Sequence, residues 1–152
     1  MDIVSVESKI HCLEGLALLA TTMTQFCDDK KHMKLIKRMV LLECGSLKKE
    51  NCLLNEADRN RVIQFCEELK DITKRLYKTR SVENYNRGKG LLLRFHEEIS
   101  VELRRSNVIF VEGRGVNAFE SVKEHAKKAE DLVQQGIEKL KVSLGKKQED
   151  EG

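Results

Sequence analysis

Proline is absent from the 152 residues, tryptophan is absent too, and only seven residues are aromatic. At an average usage of about 5%, a chain this long would carry roughly seven or eight prolines. Proline serves turns, strand edges and long loops, and strands favour aromatics. The two shortages together exclude a loop-rich β architecture and predict an all-α chain with short connections. Long apolar runs are also missing. The longest uncharged stretch, Gly15 to Cys27, is thirteen residues, short of the roughly 20 needed to span a bilayer. Glu7, Lys9 and Glu14 precede it where a signal peptide would carry a basic segment, so the chain is expected to be soluble as made. Cysteine occurs five times, at Cys12, Cys27, Cys44, Cys52 and Cys66. An odd count with spacings of at least eight residues gives neither a disulfide framework nor a CxxC half-site. These thiols read as reduced, mostly buried small hydrophobes of a cytoplasmic protein.

What is there is helical periodicity, in a chain 40% apolar and 35% charged. Ile3, Val6, Ile10, Leu13, Ala17, Ala20, Met23 and Cys27 are spaced by three and four, the seam of an amphipathic helix that Asp28 and Asp29 break. Over 30–49, Leu35, Ile36, Met39, Val40 and Leu47 take one side of a second helix. Lys30, Lys31, Lys34, Lys37 and Arg38 fall within about 60° of a common direction on the other, at 100° per residue. That predicts a buried face backed by a cationic one. A turn over 51–55 leads to a third helix over 56–78, capped by Asn55 and striped by Val62, Phe65, Cys66, Leu69, Ile72 and Leu76. Residues 79–89 read as a connection. A fourth helix over 91–106 rests on Leu92, Phe95, Ile99 and Leu103. Residues 107–117, NVIFVEGRGVN, are the least helical, and either a loop or a brief strand fits them. From Ala118 a near-heptad seam follows: Phe119, Val122, Ala126, Ala129, Val133, Ile137 or Gly136, Leu140 and Leu144. The expected architecture is an up-and-down four-helix bundle over 1–106, a connecting loop over 107–117, an additional C-terminal helix over 118–144, and a disordered tail or linker over 145–152.

Chemistry is hard to place on this pattern. A di-metal carboxylate site in a bundle needs Glu-x-x-His pairs, yet Ser8, Asp29, Leu93 and Val122 stand three residues before His11, His32, His96 and His125. His96-Glu97-Glu98 begins like HExxH, but Ser100 replaces the second histidine, so no metal site is expected. Gly113-Arg-Gly115-Val-Asn-Ala118 matches GxGxxA. The 34 residues that follow hold no second strand with a terminal acid, and a flexible link is the plainer reading. Arg87-Gly88-Lys89-Gly90 offers amides and two cations to a phosphate, or is a solvated turn. It is no Walker A loop, since Glu83 stands where the first glycine belongs and no Ser or Thr follows Lys89. With no GxSxG, nucleophile–base pair or kinase signature, neither an enzyme nor a cofactor is expected.

Charge is nearly balanced in total, 28 Lys+Arg against 25 Asp+Glu, but unevenly spread. Residues 30–49 and 74–94 each carry a net +6, leaving −9 for the rest. Polybasic helices attract anionic lipid at roughly 1 kcal/mol per Lys or Arg, or nucleic acid phosphates. Nucleic acid readers add stacking aromatics, and only Tyr77 and Tyr85 lie near these bases, which favours a membrane surface. A solvated face without a partner is the plain alternative.

The order of helices and bases resembles the N-terminal executioner domain of the mixed lineage kinase domain-like pseudokinases and, more distantly, the HeLo-type cell-death domains. Four stretches carry the likeness: the Gly15-containing first helix running into Cys27-Asp-Asp-Lys-Lys-His-Met-Lys, the second helix through Leu41-Leu42-Glu-Cys-Gly45, the third ending Lys74-Arg-Leu-Tyr-Lys-Thr-Arg-Ser81, and a fourth of the type Phe95-His-Glu-Glu-Ile-Ser-Val-Glu-Leu103. A loop and a final amphipathic helix in the place of that family's brace extend it over roughly 1–144. The tryptophan of the mammalian fourth helix has no counterpart, and the loop 107–117 is shorter than the mammalian one.

The resemblance implies a non-enzymatic necroptosis effector of innate immunity. It would bind phosphoinositides and other anionic lipids, oligomerise, and move from the cytoplasm to permeabilise the plasma membrane. Carried over position by position, Lys30, Lys31, Lys34, Lys37, Arg38, Lys74, Arg75, Lys78 and Arg80 would contact lipid. Phe119, Val122, Val133, Ile137 and Leu140 would form the brace seam, clamping the bundle or pairing between protomers. A pseudokinase in cis and an upstream receptor-interacting kinase are the further partners implied. No pseudokinase lies in this sequence, which would then be an isolated domain cut in the linker after the brace. The alternative expectation is a protein-interaction or oligomerisation bundle in innate-immune signalling without direct membrane activity.

Overall fold

The computed structural model of the chain describes residues 2–49, 53–79, 81–114 and 119–151, with side chains except at 48, 49, 114, 119–125 and 145–151. Among the described residues the chain forms five α-helices: α1 (Ile3–Phe26), α2 (Lys30–Lys49), α3 (Glu56–Lys78), α4 (Val82–Arg114) and α5 (Phe119–Glu151). Local chemistry explains most of the ends. Asp2 caps α1 by accepting from the Ser5 amide, and Asp29 caps α2 by accepting from Lys31 N at 2.8 Å. Asn55 caps α3 through Asp58 N at 2.8 Å, with Glu56 and Asp58 in the first turn and Arg75 and Lys78 in the last, each sign placed against the matching end of the helix dipole. Ser81 caps α4 by accepting from Asn84 N at 3.1 Å.

The side-chain contacts fix the direction of every helix. Lys9 reaches Glu102 and Thr24 reaches His96, so α1 and α4 are antiparallel. Lys37 lies over Tyr77 and Cys44 points at Cys66, so α2 and α3 are antiparallel. Ser5 meets Asp58 and Thr73 meets Met23, so α1 and α3 run the same way. This is the expected up-and-down bundle, closed on itself by α1 against α4, with Phe65 and Phe95 meeting edge-on at 5.8 Å in its core. Helix α1 touches all four others and buries Leu13, Leu16, Ala17, Ala20 and Met23 completely, as a central helix must. Helix α5 runs parallel to α1 and seats in the groove between α1 and α4 through Ala129, Val133, Ile137 and Leu140.

Three sequence expectations are corrected. The fourth helix begins at Val82 rather than 91 and continues to Arg114, so 82–89 is not a connection and 107–114 is neither loop nor strand. Its buried face is polar at both ends: Lys89 on one side, then Glu102, Ser106 and Asn107, which keep the helical spacing without apolar side chains. Burial of Phe110, with Ile109 and Val111 packed on the core, overrides the β preference of that run. Gly88, inside α4, lets α3 come close, since a Cβ there would sit 2.9 Å from Leu76 Cδ2. Positions 115–118 lie outside the described residues. The stretch 145–151 is helical rather than a disordered tail.

Two buried lysines pin α1, α4 and α5 in register. Lys9 donates to Glu102 at 2.7 Å, with Asp58 at 3.6 Å and Arg61 on the other oxygen of Glu102 at 3.5 Å. At the opposite end Lys89, fully buried, pairs with Asp28 at 3.0 Å and donates to the Ser143 hydroxyl of α5 at 2.5 Å. Tyr85 also donates to Asp28, and burial together with that carboxylate raises the phenol well above its ordinary value.

Candidate functional site

The antiparallel packing of α2 on α3 sets the first residues of α2 beside the last residues of α3, and so joins two basic segments that are far apart in sequence. Lys30, Lys31 and Lys34 from α2 with Tyr77 and Lys78 from α3 and Thr79 just beyond it line an open groove of about 590 Å³. Next to it Lys37 holds its Nζ 4.8 Å from the Tyr77 ring centre, a cation on an aromatic face. Further along the same crevice a second hollow of about 340 Å³ is lined by Lys37, Val40, Leu41, Lys70, Asp71 and Lys74, among others. Asp71 is engaged by Arg75 at 3.0 Å, and Glu67 by Lys70 at 3.2 Å.

Of the nine basic residues singled out from sequence, the structure therefore brings Lys30, Lys31, Lys34, Lys37, Lys74 and Lys78 to one crevice. Arg38 is exposed on α2 and lines neither hollow, and Arg75 is tied to Asp71. Arg80 lies outside the described residues. The phosphate-turn reading of Arg87-Gly88-Lys89-Gly90 is overturned, because these residues are helical and Lys89 is fully buried in its ion pair. In the C-terminal seam Val133, Ile137 and Leu140 are buried on the bundle, while the side chains of Phe119 and Val122 lie outside the described residues.

One feature of α2 was misread from sequence. Its buried face is Met33, Ile36, Val40 and Cys44, whereas Leu35, Met39 and Leu42 stand in solvent at 57%, 47% and 74% exposure. They recur at i, i+4 and i+7, a single stripe along the helix. At about 100° per residue this stripe borders Lys31 and Arg38, so α2 carries cations and exposed apolar side chains on adjoining faces, an arrangement that can meet an anionic surface with charge and a greasy boundary with side chains. The signal was present as an apolar stripe too wide for one buried face. Among the described residues no group of His, Cys, Asp and Glu could hold a metal ion, and no helix is long and apolar enough to cross a membrane. Comparison with protein-family models, with curated proteins and with solved structures gives no match.

Proposed function

We propose that the chain acts at membranes: the crevice between α2 and α3 binds anionic lipid headgroups, phosphoinositides foremost, while Leu35, Met39 and Leu42 enter the headgroup boundary beside it. The observation that carries this is the convergence of Lys30, Lys31, Lys34 and Lys78 on one open groove, at a helix that also exposes an apolar stripe. Each lysine near an anionic surface contributes about 1 kcal/mol, and each aliphatic side chain fully withdrawn from water about 1.5–3 kcal/mol. The two together exceed what either gives alone. Following its resemblance to the executioner domains of the mixed lineage kinase domain-like pseudokinases, the bundle then self-associates and permeabilises the plasma membrane as a necroptosis effector.

Dye release from vesicles of neutral lipid, with and without added phosphoinositide, tests the reading. Release should require the anionic lipid, fall as salt is raised, and disappear in Lys30→Glu/Lys31→Glu/Lys34→Glu/Lys78→Glu while helicity by circular dichroism is kept. Undiminished leakage in that variant, or equal leakage from neutral vesicles, overturns it. Vesicle binding without leakage overturns the permeabilising step.

A further inference from the structure

Where α1, α4 and α5 meet, a titratable ring sits with half of its hydrogen-bonding capacity unused. His96 of α4 is 0% exposed. Its Nε2 is 3.0 Å from the Thr24 hydroxyl of α1, and that hydroxyl donates its own proton to the Ala20 carbonyl at 2.9 Å. With the hydroxyl proton so placed, Nε2 carries the ring hydrogen and Nδ1 is the bare acceptor of a neutral imidazole. Nδ1 is buried and has no hydrogen-bond partner. From the third side α5 presses its backbone onto the ring at Gly136, where an added Cβ would lie 2.3 Å from Cε1 and 2.9 Å from Nδ1.

A proton on Nδ1 would place a charge and an unmatched donor in this dry contact, and both are costly. Among the described residues no anion stands ready to take it up, and Glu14 of α1, ten residues before Thr24, lies beside His11 at 4.0 Å. On α1, Lys9 is paired with Glu102, and beyond its end Asp28 is held by Lys89 and Tyr85. On α5, Asp131, Glu138 and Lys139 are exposed and Glu130 is paired with Arg104. On α4, Arg94 and Glu97 are exposed, and Glu98 lies beside Glu68 of α3, whose carboxyl is raised by burial and by that neighbour. The elements differ in how much they depend on the contact. Helices α1 to α4 close their own ring, whereas α5, among the described residues, rests chiefly on α1 and α4.

We propose that this junction is an acid-released latch, in which protonation of His96 undocks α5 from the α1–α4 groove while α1 to α4 remain folded. Release uncovers the apolar faces that Val133, Ile137 and Leu140 now bury, and returns the imidazolium to water. The inference is independent of the membrane reading. Burial holds the docked imidazole down at about 4, with the Ala20 carbonyl acting weakly against it. Once undocked the ring regains an ordinary value near 6.5, so the undocking equilibrium rises about 30-fold between pH 7.5 and pH 5.

Amide hydrogen exchange of the full chain, corrected for the intrinsic pH dependence of exchange, reads this directly. Opening of 126–144 should rise about 30-fold from pH 7.5 to pH 5 while 62–76 in α3 keeps its protection. His96→Gln, which can still donate to Thr24 but cannot titrate, should abolish the rise. Gly136→Ala should open α5 already at pH 7.5. Unchanged protection in the parent chain, the same rise in His96→Gln, a rise shared by α3, or a fully protected α5 in Gly136→Ala each overturns the latch. Should His96→Gln fail to fold, the His96 ring titration by NMR in the parent chain decides. A midpoint well below 6.5 that coincides with loss of α5 protection supports the latch, and one near 6.5 with α5 still docked overturns it.

Discussion

A lysine withdrawn from water is tolerated only where its charge is met, and Lys9 shows how closely the partners must be matched. Its Nζ is 2.7 Å from Glu102 and 3.6 Å from Asp58, and Asp58 is itself oriented by the Ser5 hydroxyl at 2.6 Å. Burial pushes the Glu102 carboxyl up, but the Lys9 hydrogen bond and charge, helped by Arg61 and Arg105, outweigh it and hold the group below its ordinary 4.5. A carboxyl lowered on folding stabilises the fold above its unfolded value, and that contribution is lost as pH drops from 4.5 through the lowered folded value. Removing one partner strands the other. Lys9→Met is expected to cost about 3 kcal/mol in urea unfolding, because Glu102 keeps only the half-exposed Arg61 and the exposed Arg105. Lys9→Met/Glu102→Leu, with neither charge left to bury, should return to within about 1 kcal/mol of the parent chain. Additive losses in the double variant would mean that the two groups are not coupled.

At the scale of the element, the exposed stripe of α2 separates function from stability. Leu35, Met39 and Leu42 touch too little of the core for their loss to matter to folding, so Leu35→Ser/Met39→Ser/Leu42→Ser should change unfolding by less than about 0.5 kcal/mol per site. Flotation with phosphoinositide vesicles should weaken by at least about tenfold. A fall in stability of core-truncation size would show that the stripe is covered in solution. The same helix shows where a reading of apolar period succeeds and fails. In α3 every buried position but Thr73 is apolar and a capping Asn55 precedes them, so its range 56–78 was legible residue for residue. In α4 the buried positions Lys89, Glu102, Ser106 and Asn107 are polar; Lys89 and Glu102 are met from outside the helix by Asp28, Ser143 and Lys9, while Asn107 donates back to the Leu103 carbonyl. No local pattern announces a helix whose buried face is satisfied from a distance. In α2 the error ran the other way, because apolar period cannot tell which part of a wide stripe the neighbours will cover. The lysines of the crevice were legible one by one, and their meeting with Lys78 required only that α2 and α3 pack antiparallel. The contact of His96 with Gly136 was not legible, since a histidine on one seam and a glycine on another carry no sign of each other.

For the whole molecule the up-and-down topology turns a nearly neutral chain into a polar object. The end of α1, the starts of α2 and α4, and the ends of α3 and α5 gather on one side, as the contacts of Asp28 with Lys89 and Ser143 require. Exposed Lys30, Lys31, Lys34, Lys78 and Arg87 share that end, while the net charge of the chain is only +3. If placement rather than total charge governs attraction to an anionic surface, two substitutions of identical charge change should differ by where they fall. Lys30→Glu/Lys34→Glu reverses charge in the groove. Lys127→Glu/Lys128→Glu reverses the same amount on exposed positions of α5, fifteen residues before Ser143 and thus about 22 Å from it along the axis at 1.5 Å per residue. That distance exceeds two Debye lengths at physiological salt, about 8 Å each, so the second pair is electrically remote from a surface bound at the groove. Losing two lysine contacts of about 1 kcal/mol each should weaken vesicle binding about 30-fold or more for the first pair, with less than about a twofold change for the second. Raising the salt toward 1 M, where the screening length falls to about 3 Å, should erase the difference. Equal weakening by both pairs would mean that the protein meets membranes by its overall charge, and that the groove is not the contact.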